Sequence, residues 1–138
     1  MSPIAIFWPI IAHALLVFIV YGLLGVRRWK AVAGGEAKLR QFKLRGDEPA
    51  STAPFSNNLL NQFEAPVLFY AACLSLFVTG GVTTLTVLLA WLFVISRYAH
   101  AYVHLTSNNV GIRFNCFGFG LMVLFVMWAA LALHIVAF

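Results

Sequence analysis

Apolar residues occur in long runs with short polar segments between them, and this pattern predicts helices that cross a membrane. Residues 4–26 contain no charged side chain, and at about 1.5 Å per residue they can cross a hydrocarbon core of about 30 Å. Residues 65–96 are uncharged as well, but they are too many for one span and too few for two. Gly80-Gly81 lies in the middle of this run and indicates a tight turn between two helices.

The runs predict a single domain over residues 1–138, an all-α bundle of four transmembrane helices. The expected helices cover residues 4–26, 57–78, 82–105 and 114–138. The second and third reach the required length only because each includes a polar end beside its apolar run. Glycine and proline residues interrupt the segment 27–56 repeatedly, so we expect a loop there.

Composition agrees with this architecture and excludes a soluble domain. Hydrophobic residues make up 62% of the chain and charged residues 9%, whereas soluble domains average about 45–50% and about 25%. So few charges cannot cover a soluble surface. The formal net charge of +5 does not indicate a nucleic-acid partner, because an apolar chain with few charges has no basic docking face. We therefore expect membrane lipids as partners and no nucleic acid.

The positions of the basic residues predict how the bundle is oriented. Most of the nine Lys and Arg residues lie in the segment 27–56: Arg27, Arg28, Lys30, Lys38, Arg40, Lys43 and Arg45. Cytoplasmic loops carry such an excess of positive charge. We therefore expect this loop on the cytoplasmic side and both termini on the other side of the membrane.

Polar residues inside the predicted spans are the candidates for function. The second helix places three of them on one face, at i, i+4 and i+7: Asn57, Asn61 and Glu64. The third helix does the same at i, i+3 and i+7: Arg97, His100 and His104. Glu64 lies about 10 Å and Arg97 about 12 Å from the cytoplasmic ends of their helices. A carboxylate and a guanidinium at one depth are expected to pair, because either alone is costly there.

Five residues would then form a polar group in the cytoplasmic third of the bundle: Asn61, Glu64, Arg97, His100 and Arg113. Ionisable groups inside a membrane mark binding or transport sites, although Glu64 and Arg97 alone could also be a structural clamp between helices. The excess of Arg and His over Glu predicts an anionic ligand, and the position of Arg113 at a helix N-terminus favours the same charge.

Metal and haem are not expected at the histidines. His100 and His104 have a spacing that suits a metal, but no carboxylate or Cys joins them at helical spacing. His13 and His134 could be haem ligands, but their depths, counted from the outer helix ends, differ by about 8 Å.

Several motifs, taken in order, resemble the MAPEG family (membrane-associated proteins in eicosanoid and glutathione metabolism). The stretch NLLNQFEAP over residues 58–66 resembles the signature of the second helix in that family. RYAHAY over residues 97–102 resembles its third-helix segment. Arg113 matches an Arg at the start of the fourth helix, and Arg27-Arg28 is similar to a basic pair after the first. The resemblance covers nearly the whole chain and is strongest to bacterial members, which implies a bacterial inner membrane.

The resemblance implies a homotrimer that binds glutathione between neighbouring subunits and uses it against lipophilic small molecules, as a transferase or a peroxidase. Arg113 would be the catalytic residue that stabilises the glutathione thiolate. The implied glutathione-binding residues are Arg28, Asn61, Glu64, Arg97, Tyr98, His100 and Tyr102. Glutathione would be a co-substrate, and neither a metal nor a haem is implied.

The chain also departs from the family pattern. Family enzymes usually carry an Arg four residues before the helix-two Asn, where this chain has Asn57, and a Tyr after the Glu, where it has Ala65. The alternative function is therefore a non-catalytic membrane module that binds lipid or small anions in the same polar group.

Overall fold

The computed structural model describes residues 2–43 and 47–137, and the regular elements in these ranges are helices. There are five α-helices in this part of the chain: α1 Phe7–Ala33, α2 Ala53–Asn61, α3 Ala65–Val78, α4 Thr84–Leu105 and α5 Val110–Val136. Short 3-10 turns cover Pro3–Ile6 and Leu39–Phe42. Because α2 and α3 together form one span, four segments are long and apolar enough to cross a membrane. The protein is an integral, multi-pass four-helix bundle, as the apolar runs predicted.

The core lies where α3, α4 and α5 meet. Phe69 and Phe93 stack with ring centroids 4.6 Å apart, and Met127 of α5 is fully buried beside them. Helix α5 packs closely against α4 at Gly120, where an added Cβ would lie 2.7 Å from Ser96 Oγ. Small residues at such positions allow membrane helices to pack backbone against backbone. The outward faces carry exposed apolar side chains such as Phe18, as contact with lipid requires.

The first helix ends later than the apolar runs predicted, and the last helix begins earlier. Helix α1 continues to Ala33, because its basic side chains leave the hydrocarbon without ending the helix, and it stops before Gly35, which has a φ of +74°. Helix α5 begins at Val110, where Asn109 Oδ1 accepts a hydrogen bond from the Ile112 N–H at 3.1 Å. Phe138, predicted to end the fourth helix, and Arg45 of the loop lie outside the described residues.

The second predicted helix, 57–78, is broken, and this corrects the prediction of a continuous element. It starts earlier, at Ala53, and separates into α2 and α3 between Asn61 and Ala65. The physical cause is Pro66, which has no N–H to donate to the Gln62 carbonyl and whose ring collides with it. The break leaves backbone carbonyls at the end of α2 available for other donors.

Candidate functional site

A cavity of about 260 Å³ lies where the break between α2 and α3 faces α4 and the start of α5. Its lining residues are Asn61, Glu64, His100, Val110, Arg113, Phe114 and Phe117. We call it the Arg113 cavity. The structure therefore brings together four of the five residues of the predicted polar group. The fifth, Arg97, lies outside the lining.

Arg97 is the most deeply buried cation described, with 1% of its surface exposed. Its Nη2 donates a hydrogen bond of 3.0 Å to the Asn61 carbonyl, and its guanidinium carbon lies 5.8 Å from the centre of the Phe117 ring. The last carbonyls of a helix have no partner within the helix and carry partial negative charge. Arg97 therefore caps the C-terminal end of α2 at the break.

This arrangement replaces the expected ion pair between Glu64 and Arg97. Among the described residues, the ion pair that forms is instead that of Arg28 with Glu48. Glu64 follows the end of α2, so the break turns its side chain outward, where it is exposed and lines the cavity. The expectation assumed a continuous helix and was wrong for that reason. Glu64 still attracts Arg97 electrostatically.

His100 and His104 pack together on the face of α4 that turns towards α5. Their side chains are 3% and 2% exposed, and their ring centroids lie 5.7 Å apart. The Phe117 ring lies 6.0 Å from His100. Nδ1 of each histidine is buried without a hydrogen-bond partner. Of the two, only His100 lines the Arg113 cavity.

Arg113 lies in the first turn of α5. Its Nη1 donates a hydrogen bond of 2.7 Å to Asn108 Oδ1, while its Nε is buried without a partner. Asn108 lies in the short connection between α4 and α5 and has a φ of +52°, a left-handed conformation that Asn adopts more readily than most residues. Arg113 therefore has unused donors at a helix N-terminus, an arrangement that attracts anions.

Arg28 lies elsewhere, at the membrane boundary of α1. Its Nε donates to Glu48 Oε1 at 2.8 Å, its Nη2 donates to Ser56 Oγ at 3.4 Å, and its guanidinium lies over the Phe42 ring. Burial alone would raise the pKa of Glu48, but the hydrogen bonds from Arg28 and Ser56 and the Arg28 charge hold it below the usual value. Arg28 thus fastens the loop to α1, and it lines a separate cavity of about 310 Å³.

The two tyrosines of the third-helix motif also face away from the Arg113 cavity. Tyr98 donates a hydrogen bond of 2.8 Å to the Ala12 carbonyl of α1, and Tyr102 is 72% exposed. Both line an apolar groove of about 410 Å³ between α1 and α4. Tyr98 and His100 are two residues apart, which places them about 200° apart around a helix. Within the chain, the structure therefore separates the tyrosines from the histidines.

A buried polar group beside the break was not identified from the sequence. Gln62 Nε2 donates to Asn58 Oδ1 at 3.1 Å, and His13 Nδ1 and the Tyr70 hydroxyl form a hydrogen bond of 2.6 Å. His13, Asn58 and Gln62 are all fully buried. Asn58 and Gln62 are spaced i, i+4, so the same count that singled out Asn57 and Asn61 could have found them.

The part of the chain that the structure describes contains no group of three or more His, Cys, Asp or Glu residues that could hold a metal ion. The Arg113 cavity instead offers amide, carboxylate, imidazole and guanidinium groups. Such a set can bind a zwitterionic or anionic organic molecule through hydrogen bonds and charge.

Comparison with known proteins identifies the family. A profile of the MAPEG family matches residues 6–133 of the 138-residue chain. Comparison with curated proteins gave no match, and comparison with solved structures gave none. The matched region contains the second and third spans, nearly all of the first and fourth, the break before Pro66 and every residue of the Arg113 cavity. The chain therefore belongs to the MAPEG family.

Proposed function

We propose that this protein binds glutathione in the Arg113 cavity and activates its thiol against lipophilic electrophiles, as a transferase or a peroxidase. The observation that carries the proposal is Arg113, which lines the cavity from the first turn of α5 and whose Nε has no hydrogen-bond partner. MAPEG members generally use glutathione. A membrane location concentrates apolar co-substrates beside such a site.

The lining residues suit a peptide-like thiol. The Glu64 carboxylate complements an ammonium group, and the Asn61 side chain can donate to and accept from an amide. A free thiol has a pKa of about 8.5, and a fixed cation beside it favours the thiolate, which is the nucleophile. Arg113 suits this task because a guanidinium stays charged at any physiological pH.

In the transferase reaction the thiol S–H bond breaks, the proton passes to a base or to water, and the electron pair stays on sulfur. The sulfur then forms a bond to an electrophilic carbon, whose leaving group departs with its own electron pair. In the peroxidase reaction the thiolate attacks a peroxide oxygen, the O–O bond breaks, and the departing alkoxide takes a proton and leaves as an alcohol. The sulfenic acid that remains on glutathione then reacts with a second glutathione to give the disulfide and water. Both reactions begin with the thiolate at Arg113.

We further propose a homotrimer whose sites are completed by a neighbouring subunit. Arg28, Tyr98 and Tyr102 lie on other faces of the subunit than the Arg113 cavity, so one subunit cannot bring all of them to one ligand. The proposed orientation places the loop between α1 and α2 in the cytoplasm, with both termini across a bacterial inner membrane. Cytoplasmic glutathione would then reach the cavity directly.

The test is a glutathione titration of the purified protein, followed by the ultraviolet absorbance of the thiolate and then by conjugation of a lipophilic aryl halide. We expect a saturable thiolate signal near neutral pH and product formation that depends on glutathione. Neither signal at millimolar glutathione would contradict the proposal. A co-purified anionic lipid that glutathione does not displace would instead support the non-catalytic alternative, which Asn57 in place of the usual Arg favours.

A further inference from the structure

We propose that His100 accepts the proton of the bound thiol in the Arg113 cavity, while Arg113 stabilises the thiolate that remains. This inference rests on the proposed function, because it requires a thiol in the cavity. Activation of the thiol is thus shared by two lining residues, His100 on α4 and Arg113 on α5.

The composition of the lining leaves few groups that can take a proton. Arg113 is already a cation and Asn61 is an amide, so neither accepts one. The remaining candidates are Glu64 and His100. A free imidazole has a pKa of about 6.5 and a free carboxylate about 4.3, against about 8.5 for a thiol. For the free groups in water, transfer from a thiol is therefore less unfavourable to imidazole than to carboxylate by about two units.

The packing of His100 suits this role. Its side chain is almost fully buried between His104 and Phe117, which fixes the ring, yet Nδ1 has no hydrogen-bond partner. Buried polar atoms are nearly always paired, so an unpaired one calls for a ligand or a function. His100 is thus a base that the fold positions but does not neutralise by an internal hydrogen bond.

Charged and titratable groups on three elements act on His100, where burial and the positive charges of Arg97 and Arg113 oppose a charge on the ring and the thiolate formed beside it would favour one. Arg97 and His104 share its helix, Arg113 faces it from α5, and Glu64 faces the same cavity from the start of α3. Transfer of the proton within the cavity forms imidazolium and thiolate together, so the net charge of the cavity does not change. The S–H bond breaks, the proton goes to a ring nitrogen, and the electron pair stays on sulfur.

The experiment counts protons. Glutathione is added to the detergent-solubilised protein in weakly buffered solution slightly above neutral pH, and a pH indicator and the thiolate absorbance are read together. If His100 takes the proton, far fewer protons appear in solution than thiolates form. In His100→Gln we expect at least tenfold less thiolate at this pH, and about one released proton for each thiolate formed at higher pH.

His104→Gln is the matched control, because His104 has the same burial and an equally unpartnered Nδ1 but does not line the cavity. It should keep the wild-type thiolate yield and proton count. One released proton per thiolate in the wild type would overturn the role of His100 and leave the proposed function standing. No thiolate in the wild type would overturn both, and the wild-type count needs no variant to fold.

Discussion

At the scale of single residues, the decisive interaction is the one that Arg97 makes with a backbone carbonyl. The guanidinium meets the Asn61 carbonyl at the end of α2, where a helix end buried without a partner would be costly. Arg97 thereby holds the break in place and leaves Glu64 in the cavity lining. Arg97 therefore has a structural role, whereas Glu64 is a candidate binding residue, although their positions in the sequence suggested that the two form a pair.

Arg97→Leu should therefore destabilise the protein by about 1–3 kcal/mol, because the Asn61 carbonyl loses its donor. Glu64→Gln is the comparison, and it should cost less than about 1 kcal/mol, since Glu64 is exposed and forms no ion pair with Arg97. Both are measured by thermal unfolding in detergent. An equal loss of unfolding free energy in the two variants would show that an ion pair between Arg97 and Glu64 is the stabilising contact after all.

Arg113→Gln should abolish the thiolate signal near neutral pH without lowering the melting temperature. The guanidinium makes one side-chain hydrogen bond, to Asn108, and glutamine can keep a polar contact there. Arg113→Lys should retain part of the signal because it retains the charge. A full thiolate yield in Arg113→Gln would remove Arg113 from the proposed site.

At the scale of elements, hydrophobic runs predicted the four spans because each span must cross the same hydrocarbon thickness. The hydrophobic runs did not predict the break between α2 and α3. A proline such as Pro66 can either kink a membrane helix or end it, depending on whether other groups donate hydrogen bonds to the carbonyls that it leaves free. Periodicity also placed Tyr98 and His100 on α4 without saying which would face α1. That choice depends on the rotation of the helix about its axis, which follows from its packing against the other helices and not from its own periodicity.

Gly120→Ala should weaken the contact between α4 and α5, because its Cβ would lie 2.7 Å from Ser96 Oγ. We expect a loss of about 1–3 kcal/mol in thermal unfolding, with much of it regained in Gly120→Ala/Ser96→Ala, which removes the Oγ and leaves the Ser96 Cβ 3.7 Å away. Gly118→Ala is the matched control, because an added Cβ there meets nothing within 4 Å. A double variant no more stable than Gly120→Ala would show that another contact sets the distance.

The loop is fastened to α1 by Arg28 and Glu48, and this contact should depend on pH. The pKa of Glu48 lies below its usual value in the folded protein, so its contribution to stability is present at neutral pH and is lost as the pH falls through the folded value. Glu48→Gln should lower the melting temperature at neutral pH and less at acidic pH. Glu36→Gln, at an exposed residue of the same loop, should leave the melting temperature unchanged at both pH values. Equal effects of the two substitutions would contradict a stabilising contact between Arg28 and Glu48.

At the scale of the whole molecule, one subunit presents two candidate faces that cannot meet within it. The Arg113 cavity lies at α5, whereas Tyr102 lies in the groove between α1 and α4. If neighbouring subunits complete the site, each site combines the cavity of one subunit with the groove of the next. Loss of either face should then inactivate every site of a uniform trimer.

Mixed trimers make this arrangement testable. Arg113→Gln damages the cavity, and Tyr102→Ala damages the groove at a side chain exposed enough to be removed without unfolding. Each variant alone should have little conjugating activity. Co-expressed and purified through two different tags, they should regain activity, because a mixed trimer contains an interface where an intact cavity meets an intact groove. Complete inactivity of the mixed trimers, while mixtures of either variant with wild type keep activity in proportion to their wild-type subunits, would place each site within a single subunit.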